Sequence, residues 1–170
     1  PYYHWLKYKF PSIENIDTIP YNKATFMSTK NAIIQGYSNS EPLIFQDKGL
    51  DVKVLEVSET GFNPYASVLI CNENMVKTKR SIVDKMKRAS IKGWLSYLKD
   101  PKSTNEHIEK LNPSGKGTLN KSSEELKKLM SSQNENFGKM SLERWQELAE
   151  QLLEIKLISK MPDSQWDIVD

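Results

Sequence analysis

The stretch AIIQGYSNSEPLIFQDKGLDVKVLEV, Ala32 to Val57, decides the fold expected of this chain. Ala32 to Tyr37 is an apolar run of strand length. Val52 to Val57 alternates apolar and charged residues, the period of a half-buried strand. Between them, Glu41 to Lys48 reads as a helix, with Pro42 in the first turn, where no amide donor is needed, and Gly49 as its stop. Strand, helix and strand with short links indicate α/β architecture. Glu41 has two readings at this point. An acid in a first helical turn is stabilised by the helix dipole, by about 0.3–1 kcal/mol, and needs no ligand. A buried carboxylate at a strand end can instead accept hydrogen bonds from an amidine-like edge such as an aminopyrimidine.

Working outward, Tyr2 to Lys9 has the pattern of a short helix ended by Pro11, Ile16 to Pro20 that of a short strand, and Lys23 to Ser28 that of a helical turn. GFNPY, Gly61 to Tyr65, is a punctuated loop. Ala66 to Cys71 is another apolar strand, in which Cys71 reads as a small buried hydrophobe. From Val83, apolar residues recur at Met86, Ala89, Trp94, Tyr97 and Leu98 with helical spacing, as far as Asp100-Pro101. Asn112 to Ser123 reads as a loop, with Ser122 and Glu125 forming a capping box for the helix after it. A last helix starts near Ser141, with Trp145, Leu148, Leu152 and Ile155 on one stripe, and the tail after Pro162 reads as extended. The first part therefore mixes strands and helices, and helix and loop alone follow Cys71.

The 170 residues are 38% hydrophobic and 27% charged, which suits a globular protein. Twenty-four basic residues against 22 acidic ones leave a formal net charge of +2, which gives no electrostatic case for nucleic acid. The basic residues of Lys77 to Lys92 read as a solvated helix face. A single cysteine excludes an internal disulfide. No apolar stretch reaches the roughly 18 residues that span a bilayer. The chain opens PYYHWLKYKF, which reads as the continuation of something longer.

Chemistry-bearing constellations are few. His4 and His107 lie far apart without metal-ligand spacing. There is no G-x-S-x-G, and no histidine is near Cys71 in sequence. NPSGKGT, Asn112 to Thr118, has Lys110 where the first glycine of a phosphate loop belongs, and reads as a linker. No catalytic set, metal site or cofactor is implied. Aromatic residues, by contrast, collect at element ends: Tyr2, Tyr3, Trp5, Tyr37, Phe62 and Tyr65. Small-molecule clefts combine flat aromatic faces with a few polar anchors, and in open α/β sheets they lie at strand ends. Core plugs or interface residues are the ordinary alternative for these positions.

In order and spacing, Gln35-Gly36-Tyr37, Asn39-Ser40-Glu41-Pro42, Lys48-Gly49-Leu50 and Gly61-Phe62-Asn63-Pro64-Tyr65 resemble the pyrimidine-precursor-binding, thiamine-biosynthesis-type solute receptors of the type 2 periplasmic binding fold. KGWLSYLKDP, Lys92 to Pro101, is similar to that family's helix after its return strand. The likeness covers Pro1 to Pro101. It implies an α/β, type 2 periplasmic-binding-protein-like fold, incomplete here: a second lobe over residues 1–65, then over 66–170 the return strand and C-terminal helices of the first lobe, whose N-terminal segment would precede Pro1. It also implies a receptor that closes on a small flat heterocycle outside the cytoplasm and delivers it to an ABC permease at the membrane. Tyr37, Asn39, Glu41 and Tyr65 carry over as ligand contacts, Glu41 accepting from an aminopyrimidine edge and the tyrosines stacking or closing the cleft. Two other functions share the scaffold. One is a ligand-sensing domain of a signalling protein. The other is a pyrimidine-precursor synthase that uses pyridoxal phosphate, whose cysteine-rich run this chain lacks.

Overall fold

The computed structural model describes residues 1–14, 20–113, 117–131 and 137–162. The helix at the centre of the decisive stretch forms as its sequence indicates. It is α3, Glu41–Asp47, with Pro42 in its first turn. Gly49, at φ +77°, ends it: the Gly49 amide bonds Gln46 O at 2.9 Å and the Leu50 amide bonds Phe45 O at 3.0 Å. These two bonds form a Schellman stop, which favours glycine because its backbone turns left-handed. The segments on either side differ from expectation. Residues 32–37, 52–57 and 66–71 form no β-ladder, and no strand occurs among the described residues.

The α/β, periplasmic-binding-protein-like fold class is therefore corrected to a helical one. The physical reason lies in what a strand requires. An apolar run signals burial, but a strand exists only where its amides and carbonyls pair with a neighbouring chain. Here those runs are uncovered: Ile33 is 86% exposed and Ile70 84%. Cys71, expected inside, is exposed as well. The strand expected at Ile16–Pro20, the centre of the NPSGKGT segment and the tail beyond Pro162 fall wholly or largely outside the described residues.

The other helices are α1 (Tyr2–Lys9), α2 (Lys23–Ser28), α4 (Glu73–Thr78), α5 (Arg80–Lys99), α6 (Lys102–Leu111), α7 (Leu119–Ser131) and α8 (Leu142–Glu154), with a 3-10 turn at Val57–Thr60. Helix α7 starts three residues before the capping box, so Ser122 lies inside it and its hydroxyl bonds Asn39 instead. Helix α8 starts as its sequence suggests: the Ser141 hydroxyl accepts from the Arg144 amide at 3.3 Å.

The chain divides into two compact units. The first comprises Pro1–Pro20, Leu55–Val68 and Lys139–Asp170. Its centre is aromatic. Trp5 and Phe62 are buried and stack with ring centroids 5.3 Å apart, and Tyr2 meets Phe62 edge-on. The Trp5 indole N–H donates to Thr60 Oγ1 at 2.8 Å, which satisfies the one polar atom that burial would strand. From α8, Gln151 donates to Gly61 O, and Tyr8 donates to Glu154 at the helix end.

The second unit comprises Tyr21–Val54 and Leu69–Gly138. Phe26 of α2 packs on buried Phe45 of α3, centroids 4.7 Å apart. A polar network joins α5, α6 and α7. Buried Asn105 accepts from the Tyr97 hydroxyl at 2.9 Å and donates to Asn120 Oδ1 at 2.8 Å, and the buried Ser123 hydroxyl bonds Asn120 O. Such a network is tolerated inside because its members are satisfied. An ion pair between Lys121 and Asp47 ties α7 to α3.

Candidate functional site

Glu41 is the one charged residue that is buried among the described residues. Its position at the head of α3 turns the carboxylate back over the preceding turn. Oε2 accepts the Tyr37 amide at 2.9 Å, while the turn itself closes through Ser40 N to Tyr37 O at 2.8 Å. Gly36 permits this approach. A Cβ there would stand 2.7 Å from Glu41 Cβ and 2.8 Å from Cγ and Oε2, nearer than side chains tolerate. The glycine of the Gln-Gly-Tyr motif thus makes room for the acid five residues on.

Two residues unmarked in the sequence reading complete the surroundings of the acid. Lys23 Nζ lies 3.0 Å from Glu41 Oε1, and the Tyr21 hydroxyl donates to the same oxygen at 3.0 Å. Both come from the start of α2, where Asn22 caps the helix by accepting from the Ala24 and Thr25 amides. Nothing in the local sequence signals the pairing, because 18 residues separate Lys23 from Glu41; only the docking of α2 on α3 creates it. Burial pushes the Glu41 carboxyl upward, but the bonds from Tyr37, Lys23 and Tyr21 outweigh it and hold the group below the usual carboxylate range. The hydrogen bond to Glu41 lifts the Lys23 ammonium above its ordinary value, against a partial desolvation cost. Glu41 is therefore a fixed, ionised acceptor with three donors on it.

The other carried-over residues separate. Tyr37 contributes its amide to Glu41 while the side chain stays outside; the residue is 60% exposed. The Asn39 side-chain amide donates to Ser122 Oγ at 3.3 Å, so Asn39 fastens the turn to α7. Tyr37, Asn39 and Glu41 belong to the second unit, and Tyr65 belongs to the first. There Tyr65 acts as a fastener. Its hydroxyl accepts the Ser141 amide at 2.8 Å, and the Arg144 guanidinium lies 4.1 Å from its ring centroid. Arg144 also donates to Asn63 O, Asn63 Oδ1 and Pro64 O, locking the GFNPY loop onto α8. Burial raises the Tyr65 hydroxyl, and the Ser141 bond with the Arg144 charge more than reverses that. Trp5 and Phe62 are core residues and half-buried Tyr2 packs on Phe62, the ordinary alternative for an aromatic at an element end.

Chemically, the Glu41 cluster can accept hydrogen bonds and fix the position of a donor. Among the described residues, no group of three or more histidine, cysteine or acidic side chains stands in metal-binding array. No helix in those residues is long and apolar enough to cross a membrane. No curated protein and no solved structure matches the chain. A family model does: the one described as NMT1/THI5 like matches residues 7–104, more than half of the sequence, from the last turn of α1 into the first turn of α6. Domains of that family are mostly small-molecule-binding domains, in agreement with the resemblance carried by the Gln-Gly-Tyr, Asn-Ser-Glu-Pro and Gly-Phe-Asn-Pro-Tyr motifs. The chain belongs to the NMT1/THI5-like family.

Proposed function

We propose that this chain serves as the solute-binding component of an ABC transporter, working outside the cytoplasm and presenting a small flat heterocycle to a membrane permease. The carrying observation is the buried carboxylate of Glu41, held ionised by its donors, within the stretch matched by the family model. A fixed acceptor suits an aminopyrimidine, whose exocyclic amine donates to it while an aromatic residue such as Tyr37 stacks on its ring. In this reading the task is binding rather than catalysis, and Tyr37, Asn39 and Glu41 of the second unit are the ligand contacts. The chain then divides functionally near Tyr65: residues 1–65 carry the ligand-facing motifs, and 66–170 form the complementary part of the receptor.

The test is a thermal-shift screen of the full chain against 4-amino-2-methylpyrimidine, thiamine and non-amino heterocycles. A ligand bound only by the folded state at 100 times its Kd adds about 2.7 kcal/mol, a Tm rise of about 5–10 °C for a chain of this size. The aminopyrimidine should give that rise and Glu41→Ala should lose it. A flat response to every aminopyrimidine would remove the assignment.

A further inference from the structure

The start of α2 carries an arrangement that the family motifs do not explain. Lys23 is the first residue of α2. A cation at a helix N-terminus opposes the helix dipole, so this is an unfavourable place for lysine. What it gains there is Glu41 Oε1, which it shares with the Tyr21 hydroxyl. The docking of α2 also has an apolar anchor in the Phe26–Phe45 contact, and its first turn is capped by Asn22. Lys23 is about one-third exposed and Tyr21 is 60% exposed, so both side chains have solvent to swing into.

A carboxylate offers about four acceptor positions. On Glu41, Lys23 and Tyr21 take two on Oε1, and the Tyr37 amide takes one on Oε2. A ligand with a single donor can reach only what is left on Oε2. A ligand that presents two parallel N–H donors needs both oxygens, and must turn Lys23 and Tyr21 away.

We propose that Lys23 and Tyr21 are internal competitors for Glu41, and that they set the specificity of the site by admitting only a heterocycle with an amidine-like, two-donor edge. The proposal rests on Glu41 being the ligand anchor. A charge-assisted fork across both oxygens is stronger than a single neutral hydrogen bond and can displace the pair. One neutral donor cannot. With the competitors gone, Glu41 becomes a more open acceptor, and the site binds tighter and less selectively.

The experiment is isothermal titration of the full chain, as wild type, Lys23→Met, Lys23→Arg, Tyr21→Phe and Glu41→Gln. The probes are 4-amino-2-methylpyrimidine, which presents the two-donor edge when N3, the ring nitrogen next to the amine-bearing carbon, carries a proton, 2-methylpyrimidine, which lacks the amine, and aniline. Far-UV circular dichroism verifies that each variant folds. An exposed ion pair is worth up to about 1 kcal/mol, so Lys23→Met should bind the aminopyrimidine about 3–5-fold tighter. Tyr21→Phe should move the same way by less, and Lys23→Arg should behave as wild type. 2-Methylpyrimidine, which has no N–H donor, should stay weak throughout, whereas aniline, a single neutral donor, should bind wild type weakly and gain in Lys23→Met, which a purely structural role for Lys23 would not arrange. If Glu41→Gln abolishes binding while Lys23→Met leaves it unchanged or weakens it, the competition is wrong and the anchor stands. If neither wild type nor Lys23→Met binds the aminopyrimidine, the competition and the anchor fall together.

Discussion

Glu41 illustrates how one residue is committed by its neighbours. Three donors converge on it, and Gly36 lacks a side chain where any other residue would collide with it. Gly36→Ala should therefore push the carboxylate off the Tyr37 amide and destabilise the chain by about 1–3 kcal/mol, the range for overpacking, measurable by urea unfolding. The pH dependence follows from the direction of the shift. The folded carboxyl lies below the unfolded one, near the ordinary value of about 4.3, so its contribution is complete above that value and is lost as pH falls through the folded value. Glu41→Gln should cost stability at pH 7, and the gap from wild type should narrow on acidification below pH 4. A gap that is constant with pH would mean the acid is not held by its donors. The motif around Glu41 was legible in the sequence, because Gly36, Pro42 and Gly49 are residues with narrow backbone or steric roles. Lys23 and Tyr21 were not, because a contact between two helices leaves no mark in the spacing of either.

At the scale of elements, helices were read from what they contain and strands failed on what they need from elsewhere. The spacing of Trp145, Leu148 and Leu152 describes α8 because a helix satisfies its own backbone. VKVLEV alternates and SVLIC is a continuous apolar run, yet among the described residues neither pairs in a ladder. Ser122 and Glu125 matched a capping box, but the hydroxyl bonds Asn39, and α7 begins earlier. The end of α8 offers a separate test. Lys156 turns left-handed at φ +57°, with Leu157 N bonding Leu152 O and Lys156 N bonding Leu153 O, a stop usually made by glycine. Lys156→Gly should raise stability by about 0.5–1 kcal/mol, as the unfavourable left-handed geometry is relieved, and thermal unfolding will show it as a higher Tm.

Over the whole chain, the apolar segments that read as strands remain uncovered. Ile33, Leu55, Leu69 and Ile70 are each more than half exposed, and among the described residues only Trp5, Phe45, Phe62 and Ala149 are buried hydrophobics. Contiguous exposed apolar backbone invites association. Sedimentation velocity should show self-association that grows with concentration, and Ile70→Lys should reduce it. Binding a heterocycle is the central claim, and the Tyr37 amide reports on it most directly, because that N–H donates to the carboxylate oxygen beside which the ligand must dock. A ¹H–¹⁵N NMR titration of the full chain with 4-amino-2-methylpyrimidine should move the Tyr37 amide resonance saturably, with no such movement in Glu41→Gln. Saturable binding that leaves Tyr37 unmoved, or no binding at all, would contradict the account.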